Sequence, residues 1–445
     1  MKKVIVAGAG LAGLSAAHKL RNAGCEVVVL ESQSEVGGRC QTKRENSFEF
    51  DTGAQFFSSF NTNMFGLIDK LGASDELIAI KGLAGSWRDG KLLKLRPGSL
   101  LDYISSPILS LTSKLLLLKL VFRMVVHYRQ LDWQAWDRAY ALDHGDAASY
   151  IRETLDEDIL EYLFQPFFSG FWYAAPEELS SAFVLLLFKH LGAREFTYRG
   201  GLGALPKLLA GNLNVKLECK VQKIEPRSPS DTRLQVTVQC DGQNEQMSAD
   251  VVVCALRAPE ALNMLSPDFR DERNFLKNIR YGSSIVVAFP IEQPIHPDMW
   301  GILLPRKEFD LIASVVLEHA KPEAEKRMPK GKGCIVVTSS NIGAKILMDL
   351  PSEEVAAAIL AELKLIFPTI GSILSTNTPP VIIRHRLAQP LFAPGHLKSI
   401  RHYKSKRQHA KSLFLSGDYL NNASTEGAVT DGLEVGQIIA QRFSR

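Results

Sequence analysis

The chain has 445 residues, 46% of them hydrophobic and 22% charged, with 52 lysines and arginines against 48 acids. That length predicts two to three domains with a large core, and the composition is that of a globular protein rather than a disordered or fibrous one. A net charge of +4 leaves no electrostatic footprint for nucleic acid, and the ten histidines show no metal-ligand spacing such as HExxH.

Residues 4–31 organise the N-terminal end. The apolar run 4–7 predicts a parallel strand buried on both faces. Gly8-x-Gly10-x-x-Gly13 follows, then a helical run over 12–23 that Gly24 stops, then a second apolar run over 27–30 ending in Glu31. In such a unit Gly8 turns the chain off the strand, Gly10 lets the backbone approach a pyrophosphate, and Gly13 lets helix and strand pack closely. The helix start at Leu11 and Ala12 offers N–H groups to phosphate, and a carboxylate at Glu31, beside Ser32, accepts from ribose hydroxyls. Together these features predict dinucleotide binding in an α/β fold; periodicity alone does not separate FAD from NAD.

The six cysteines (Cys25, Cys40, Cys219, Cys240, Cys254 and Cys334) contain no CxxC pair and read as small buried thiols in a reducing compartment. Met1-Lys2-Lys3 runs straight into the first strand without a signal peptide, so the expectation is a cytoplasmic protein of a bacterium or an organelle protein lacking its transit peptide.

Gly37-Gly38-Arg39-Cys40-Gln41-Thr42 comes next, then Asp51-Thr52-Gly53-Ala54-Gln55-Phe56. The series GxGxxG, Glu, GGRxxT and DxGAxxF resembles the flavin amine oxidase superfamily, which includes amine oxidases, protoporphyrinogen oxidases and carotenoid desaturases. The resemblance implies a Rossmann-like FAD-binding domain interleaved with an α+β substrate domain. It implies Gly38 and Arg39 at the FAD pyrophosphate, and Gly53, Ala54 and Gln55 beside the isoalloxazine ring. A diphosphate needs a cationic, multi-donor partner, and guanidinium suits it.

Residues 64–192 read as mostly helical. The most apolar part, 110–130, is interrupted by Lys114, Lys119 and Arg123, which makes it a poor transmembrane span. It reads either as a core helix of the substrate domain with a basic outer face or as a helix lying on a membrane surface. Residues 163–179 resemble a protoporphyrinogen oxidase pattern through Pro166, Ser169-Gly170, Ala174 and Leu179-Ser180. Their aromatics, Phe164, Phe167, Phe168, Phe171, Trp172 and Tyr173, read either as the lining of a pocket for a planar or polyene substrate or as aromatic core.

Arg199-Gly200-Gly201-Leu202-Gly203 restarts the cofactor domain, with strands expected over 215–224, 233–240 and 249–253, the middle one half-exposed and antiparallel. The resemblance implies a backbone contact to adenine at Val221. A second substrate block over 281–386 carries expected strands at 284–289, 312–317 and 334–339, and a helix over 352–367 with Ser352 as N-cap. The tail has a strand at 413–415, then Gly417-Asp418, then Thr425-Glu426-Gly427-Ala428-Val429 opening a helix to about 441. The resemblance implies FAD contacts at Gly417 and Asp418, and at Gly427, Ala428 and Val429, whose turn aims N–H groups at the flavin. The organisation expected is therefore FAD-binding segments 1–63, 196–280 and 387–445, with substrate-domain segments 64–195 and 281–386.

Three features bear on the type of flavoenzyme. Val286 stands where many amine oxidases carry a lysine, and Asn421 and Asn422 occupy the neighbourhood of their cage tyrosine. Gln389-Pro390-Leu391-Phe392-Ala393-Pro394-Gly395-His396 resembles a protoporphyrinogen oxidase pattern, whereas the Thr425–Ala428 tail is closer to desaturases and amine oxidases. Gln55 and His396 are the candidates for the flavin face, with no catalytic acid or base assigned. Arg384, His385 and Arg386 read as carboxylate holders or as a charged strand end. The leading expectation is an oxidoreductase with non-covalent FAD that takes two electrons from a fairly large apolar substrate. The alternatives are an amine or amino-acid oxidase, a redox-neutral flavin-dependent isomerase, and a flavin-binding protein with a structural role.

Overall fold

The computed structural model describes residues 1–96, 99–228 and 231–443. Lys3–Ala7 is the middle strand of a five-stranded sheet whose order is Asn214–Lys216, Glu26–Leu30, Lys3–Ala7, Val251–Cys254, Leu413–Leu415. Every pairing in it is parallel, with Val4 opposite both Val27 and Val251, and Val252 opposite Leu413. The valine-rich runs suit a sheet buried on both faces. Val4, Val6, Val27, Val29, Val251 and Val253 pack in one core with the helices Leu11–Asn22 and Thr425–Phe443. Ile5, Ala7, Val28, Val252 and Cys254 pack in a second core with an antiparallel meander formed by Cys219–Ser228, Asp231–Cys240 and Gln243–Ala249. Start, middle and tail of the chain thus share one sheet.

The meander corrects one expectation. Cys219 and Cys240 are not free thiols: the register sets them directly opposite, with Cα atoms 4.3 Å apart, and they form a disulfide. That spacing is that of a non-hydrogen-bonded cross-strand pair. Cys25, Cys40, Cys254 and Cys334 are buried thiols, as expected.

The substrate side is built on a seven-stranded sheet in the order Val381–Pro390, Tyr281–Ile291, Gly333–Ser339, Ile312–Leu317, Met299–Leu303, Leu83–Arg88, Lys91–Leu95. The last two strands come from the segment expected to be helical. They form a hairpin with Arg88 opposite Lys91, turned by Asp89-Gly90, both at positive φ. Asp-Gly is the chemistry a two-residue hairpin turn requires. A small sheet of Phe57–Ser58, Glu195–Tyr198 and Leu77–Ala79 links the two halves.

The helix Leu111–Val126 is capped by Ser110, whose hydroxyl accepts from the Ser113 N–H. It packs through Ser113, Leu116, Leu117, Leu120 and Met124, while Leu111, Leu115, Leu118, Phe122, Val125 and Val126 are exposed, Leu111 at 79% and Phe122 at 71%. The helix thus packs on the core, and its outward face mixes exposed Lys119 and Arg123 with these apolar side chains. Among the described residues no helix is long and apolar enough to cross a membrane. The helix Ser352–Ile366 begins where expected, but Pro351 holds the cap position and Ser352 is its first residue.

Candidate active site

The first βα turn forms one wall. Gly8 leaves the strand at φ +101°, and a Cβ on Gly13 would stand 2.0 Å from the Gly8 carbonyl oxygen, so helix and turn touch backbone to backbone. The first intrahelical bond runs from the Leu14 N–H to Gly10 O at 2.9 Å, so the N–H groups of Leu11 and Ala12 precede it at the helix mouth. Glu31 Oε2 accepts from the Ala9 N–H at 2.8 Å and Oε1 from the Gln33 N–H at 3.0 Å, which ties the second strand's tip to the turn. Gly37 N–H donates to Ala9 O at 2.9 Å and docks the Gly37-Gly38-Arg39 segment beside it.

Arg39 joins the start of the chain to its tail. Its Nη1 lies 2.8 Å from Asp418 Oδ2 and donates to Ala388 O at 2.8 Å. Burial works against the charge, but Asp418, with the phenols of Tyr281 and Tyr173 nearby, holds the guanidinium above its ordinary pKa. The turn carrying Asp418 is pinned from behind. Gly417 N–H donates to Asp431 Oδ2 at 3.0 Å, and fully buried Arg407 pairs with Asp431 at 2.7 Å.

Gln55 is fixed from both ends. Its Nε2 donates to Asp51 O at 2.8 Å, and Lys321 Nζ donates to Gln55 O at 3.0 Å and to its Oε1 at 3.3 Å. Lys321 belongs to a buried quartet with Glu318 (2.7 Å), Asp51 (3.5 Å) and Arg327, which reaches Glu318 at 2.9 Å. Burial alone raises a carboxyl's pKa, but Arg327, Lys321 and the hydrogen bonds from Thr42 and Leu202 hold Asp51 below the usual range. A Cβ on Gly53 would meet Arg39 O at 2.2 Å, so this loop lies directly on the arginine segment.

These walls enclose one cavity of about 1090 Å³. Gly8, Gly10, Leu11, Ala12, Glu31, Ser32, Gly38, Arg39, Gly53, Ala54, Gln55, Val221, Gly417, Asp418 and Ala428 all line it. Its other end is aromatic, with Phe56, Phe167, Phe171, Trp172 and Trp300 on the walls. Ring centroids are 5.1 Å apart for Phe56–Phe171, 5.5 Å for Phe56–Trp300 and 5.5 Å for Phe167–Phe171. The aromatic run of residues 163–179 therefore divides: Phe164 and Phe168 are fully buried in the core, and the other four face the cavity.

Several expected positions stand elsewhere. Gly13 does not line the cavity and acts through packing, while Val429 is fully buried in the core. Gly427 is also outside the lining. Its N–H donates to Ser424 Oγ, and that of Ala428 to Ser424 O, so the N–H groups expected to aim at flavin are spent on an N-cap. His396 is not brought to the cavity: its ring hydrogen-bonds Tyr419 O at 3.1 Å, lies against Phe392, and is held neutral by burial, which lowers its pKa to about 4. Of the three basic positions, Arg384 and His385 line the cavity while holding Met348 O, Leu350 O and Ser352 Oγ, and Thr52 O, respectively, whereas Arg386 is outside the lining and pairs with Asp349. Asn421 and Asn422 donate to Gln134 O and Trp133 O, and Val286 is buried in the core.

The lining fits a flavin dinucleotide. The space beyond Gly10 is open where any side chain would intrude, Arg39 supplies the cation, and Glu31 supplies the acceptor at the second strand's tip. Neither lining cysteine is a free nucleophile: Cys40 donates to Leu202 O with its thiol pKa pushed up by burial, and Cys219 is in the disulfide. Fold and cradle define a two-part flavoprotein, with a Rossmann-type cofactor domain threaded through a substrate domain. Residues 11–440 match the flavin containing amine oxidoreductase family, and the chain belongs to it. It is an FAD-dependent oxidoreductase. It is 22% identical to protoporphyrinogen oxidase 2 of Arabidopsis thaliana over 98% of this chain and 94% of that one. It is 26% identical to a flavin-dependent L-tryptophan oxidase of Lentzea aerocolonigenes over 66% of each. The solved cyclohexylamine oxidase from Brevibacterium oxydans shares its fold, with a TM-score of 0.75 at 18% identity over 100% of both chains.

Sequence reasoning missed Lys321, the Arg407–Asp431 pair, and Glu195 with Trp300. Each works through a partner remote in the chain, and none belongs to a local motif.

Proposed function

We propose that this oxidoreductase removes two electrons from a fairly large, apolar substrate by C–H or C–C desaturation, as in the protoporphyrinogen oxidase and desaturase branch of its superfamily. The observation that carries the reading is the aromatic end of the cavity, which opens off the wall formed by Gln55 and Phe56. Bound FAD supplies the two-electron acceptor. The chain's own residues bind, orient and keep dry. Arg39 neutralises diphosphate charge, Glu31 holds ribose hydroxyls, and Gln55, fixed by Lys321 and Asp51, supports the ring's edge. Phe56, Phe171 and Trp300 present ring faces and edges to a planar or extended apolar body. Val286 in the core and the asparagines turned away from the cavity favour this reading over ordinary amine oxidation.

The test is an anaerobic screen that follows loss of flavin absorbance. Reduced tetrapyrroles and partly saturated polyenes should bleach the flavin. Bleaching by simple amines alone, or substrate turnover with no electron acceptor consumed, would overturn the proposal in favour of an amine oxidase or an isomerase.

We further infer that the helix Leu111–Val126 rests its apolar face on a membrane surface. Exposed Leu101, Ile104 and Tyr128 extend that face. The flanking cations are folded back onto the protein, Lys114 to Ser106 O, Lys119 to Thr154 O and Arg123 to the Tyr150 hydroxyl, which leaves their stems beside the patch. Co-sedimentation with vesicles containing phosphatidylglycerol tests this, and a wholly soluble result retires it.

A further inference from the structure

We propose that Glu195 is the polar anchor of the substrate cavity and receives an N–H donor carried by an otherwise apolar substrate. The inference rests on the oxidoreductase reading of the cavity and adds a substrate feature to it. Register places the residue. In the small linking sheet Glu195 lies opposite Ser58, and Phe196 opposite Phe57. Alternation sends Phe57 and Phe196 into the nucleotide-domain core, where Phe196 packs on Phe65. Ser58 and Glu195 are left on the other face, and both line the cavity.

At that end the carboxyl is among apolar and aromatic groups. Trp300, whose ring meets Phe56, is the nearby donor that offsets part of the carboxyl's burial, but its Nε1 and Glu195 Oε2 are both left without a hydrogen bond of ordinary geometry among the described residues. Glu195 Oε2 has no hydrogen-bond partner among the described residues, and no cation is among the groups that act on its charge. Buried polar atoms are nearly always satisfied, and an acceptor left open on a cavity wall is satisfied by what the cavity binds. Burial pushes the carboxyl pKa up to about 8, which keeps it largely protonated near neutrality. Its carbonyl oxygen then accepts from a neutral pyrrole- or indole-type N–H, and a protonated amine draws it into the ionised form.

The FAD-loaded protein would be titrated with two pairs of probes, indole against indene and phenethylamine against propylbenzene, following perturbation of the flavin absorbance and of tryptophan fluorescence. At least one nitrogen-bearing probe should bind roughly tenfold or more tightly than its hydrocarbon twin. Glu195→Leu should erase that preference while hydrocarbon affinity holds or rises. Glu195→Gln should keep a preference for indole and lose one for phenethylamine, which separates a neutral donor from a cation. Equal affinity for the twins in the wild type, or a preference that survives in Glu195→Leu, overturns the proposal. An N–H preference that holds while reduced tetrapyrroles and partly saturated polyenes fail to bleach the flavin would overturn the apolar-substrate reading and leave the role of Glu195 standing.

Discussion

At the scale of single residues, the charges that matter are those whose partners are already in place. Glu31 accepts from two backbone N–H groups as well as facing the cavity, so Glu31→Ala removes the proposed cofactor contact and leaves those donors open. FAD affinity should fall by about tenfold or more, with the core still folded; retention of stoichiometric FAD through gel filtration would count against the assignment. Lys321→Met leaves Asp51 and Glu318 with Arg327 as their only cation in the quartet. Breaking a buried ion pair by removing one partner costs about 3–5 kcal/mol. Thermal unfolding should show that loss, together with a changed flavin spectrum as Gln55 loosens. Glu195 gives a pH signature of unusual sign. Its folded pKa, about 8, lies above the ordinary 4.5, so the folded state holds the extra proton between them and stability falls as pH rises through that window. Tyr103, the titratable group facing it, is pushed up by burial and by Glu195 and stays neutral there. Glu195→Gln should therefore raise the melting temperature more at pH 8 than at pH 5, and equal gains at both would refute the assignment. Glu31 and Arg39 were legible in the sequence because each sits in a recognisable local motif, although the partners of Arg39, Asp418 and Ala388, lie far along the chain. Glu195 and Lys321 were not, because a lone acid or lysine becomes informative only when the fold shows what faces it.

At the scale of elements, patterning located the three valine-rich strands of the cofactor sheet, Lys3–Ala7, Glu26–Leu30 and Val251–Cys254, whereas the single strand expected over 215–224 divides into Asn214–Lys216 in that sheet and Cys219–Ser228 in the meander. The strands at 312–317 and 413–415 were legible to the residue. The hairpin of Leu83–Arg88 and Lys91–Leu95 was not, although Asp89-Gly90 was visible, because the leucine-rich stretches around it outweighed one turn signal. The cysteine pair was hidden for another reason: only the meander's register brings Cys219 to Cys240. Two element-level outcomes follow from packing. A Cβ on Gly432 would stand 2.2 Å from Ala12 O, so Gly432→Ala must push the C-terminal helix off the first helix. Such overpacking costs about 1–3 kcal/mol, and it should weaken FAD binding by displacing the turn it rests on. By contrast, Leu115→Glu with Phe122→Glu changes two exposed side chains. It should leave the melting temperature nearly unchanged and abolish vesicle co-sedimentation; unfolding of that variant would show the face to be structural.

At the scale of the molecule, the cofactor site belongs to no single stretch of chain. Its strands come from the start, the middle and the tail, and its central contact, Arg39 with Asp418, spans 379 positions in sequence yet only 2.8 Å in space. Interleaving was legible because each segment carries its own strand and glycine turn. The order of the seven-stranded sheet was not, since it depends on pairings that no local pattern encodes. A ligand that bridges all three segments stabilises them together, by RT ln(1 + [L]/Kd), about 4 kcal/mol at a thousand times the dissociation constant. Hydrogen exchange with and without FAD should therefore show protection rising in concert at the helix start Leu11–Asn22, in the meander around Val221 and in the tail near Gly417 and Asp418. The helix Ser352–Ile366, none of whose residues line the cavity, should change little. Protection confined to the first 63 residues would mean that the cofactor rests on the opening unit alone and that the Arg39–Asp418 junction is only structural. Asp418→Ala separates the two cases: if the tail is part of the cradle, this variant loses the concerted protection while the N-terminal unit keeps a weaker share of its own.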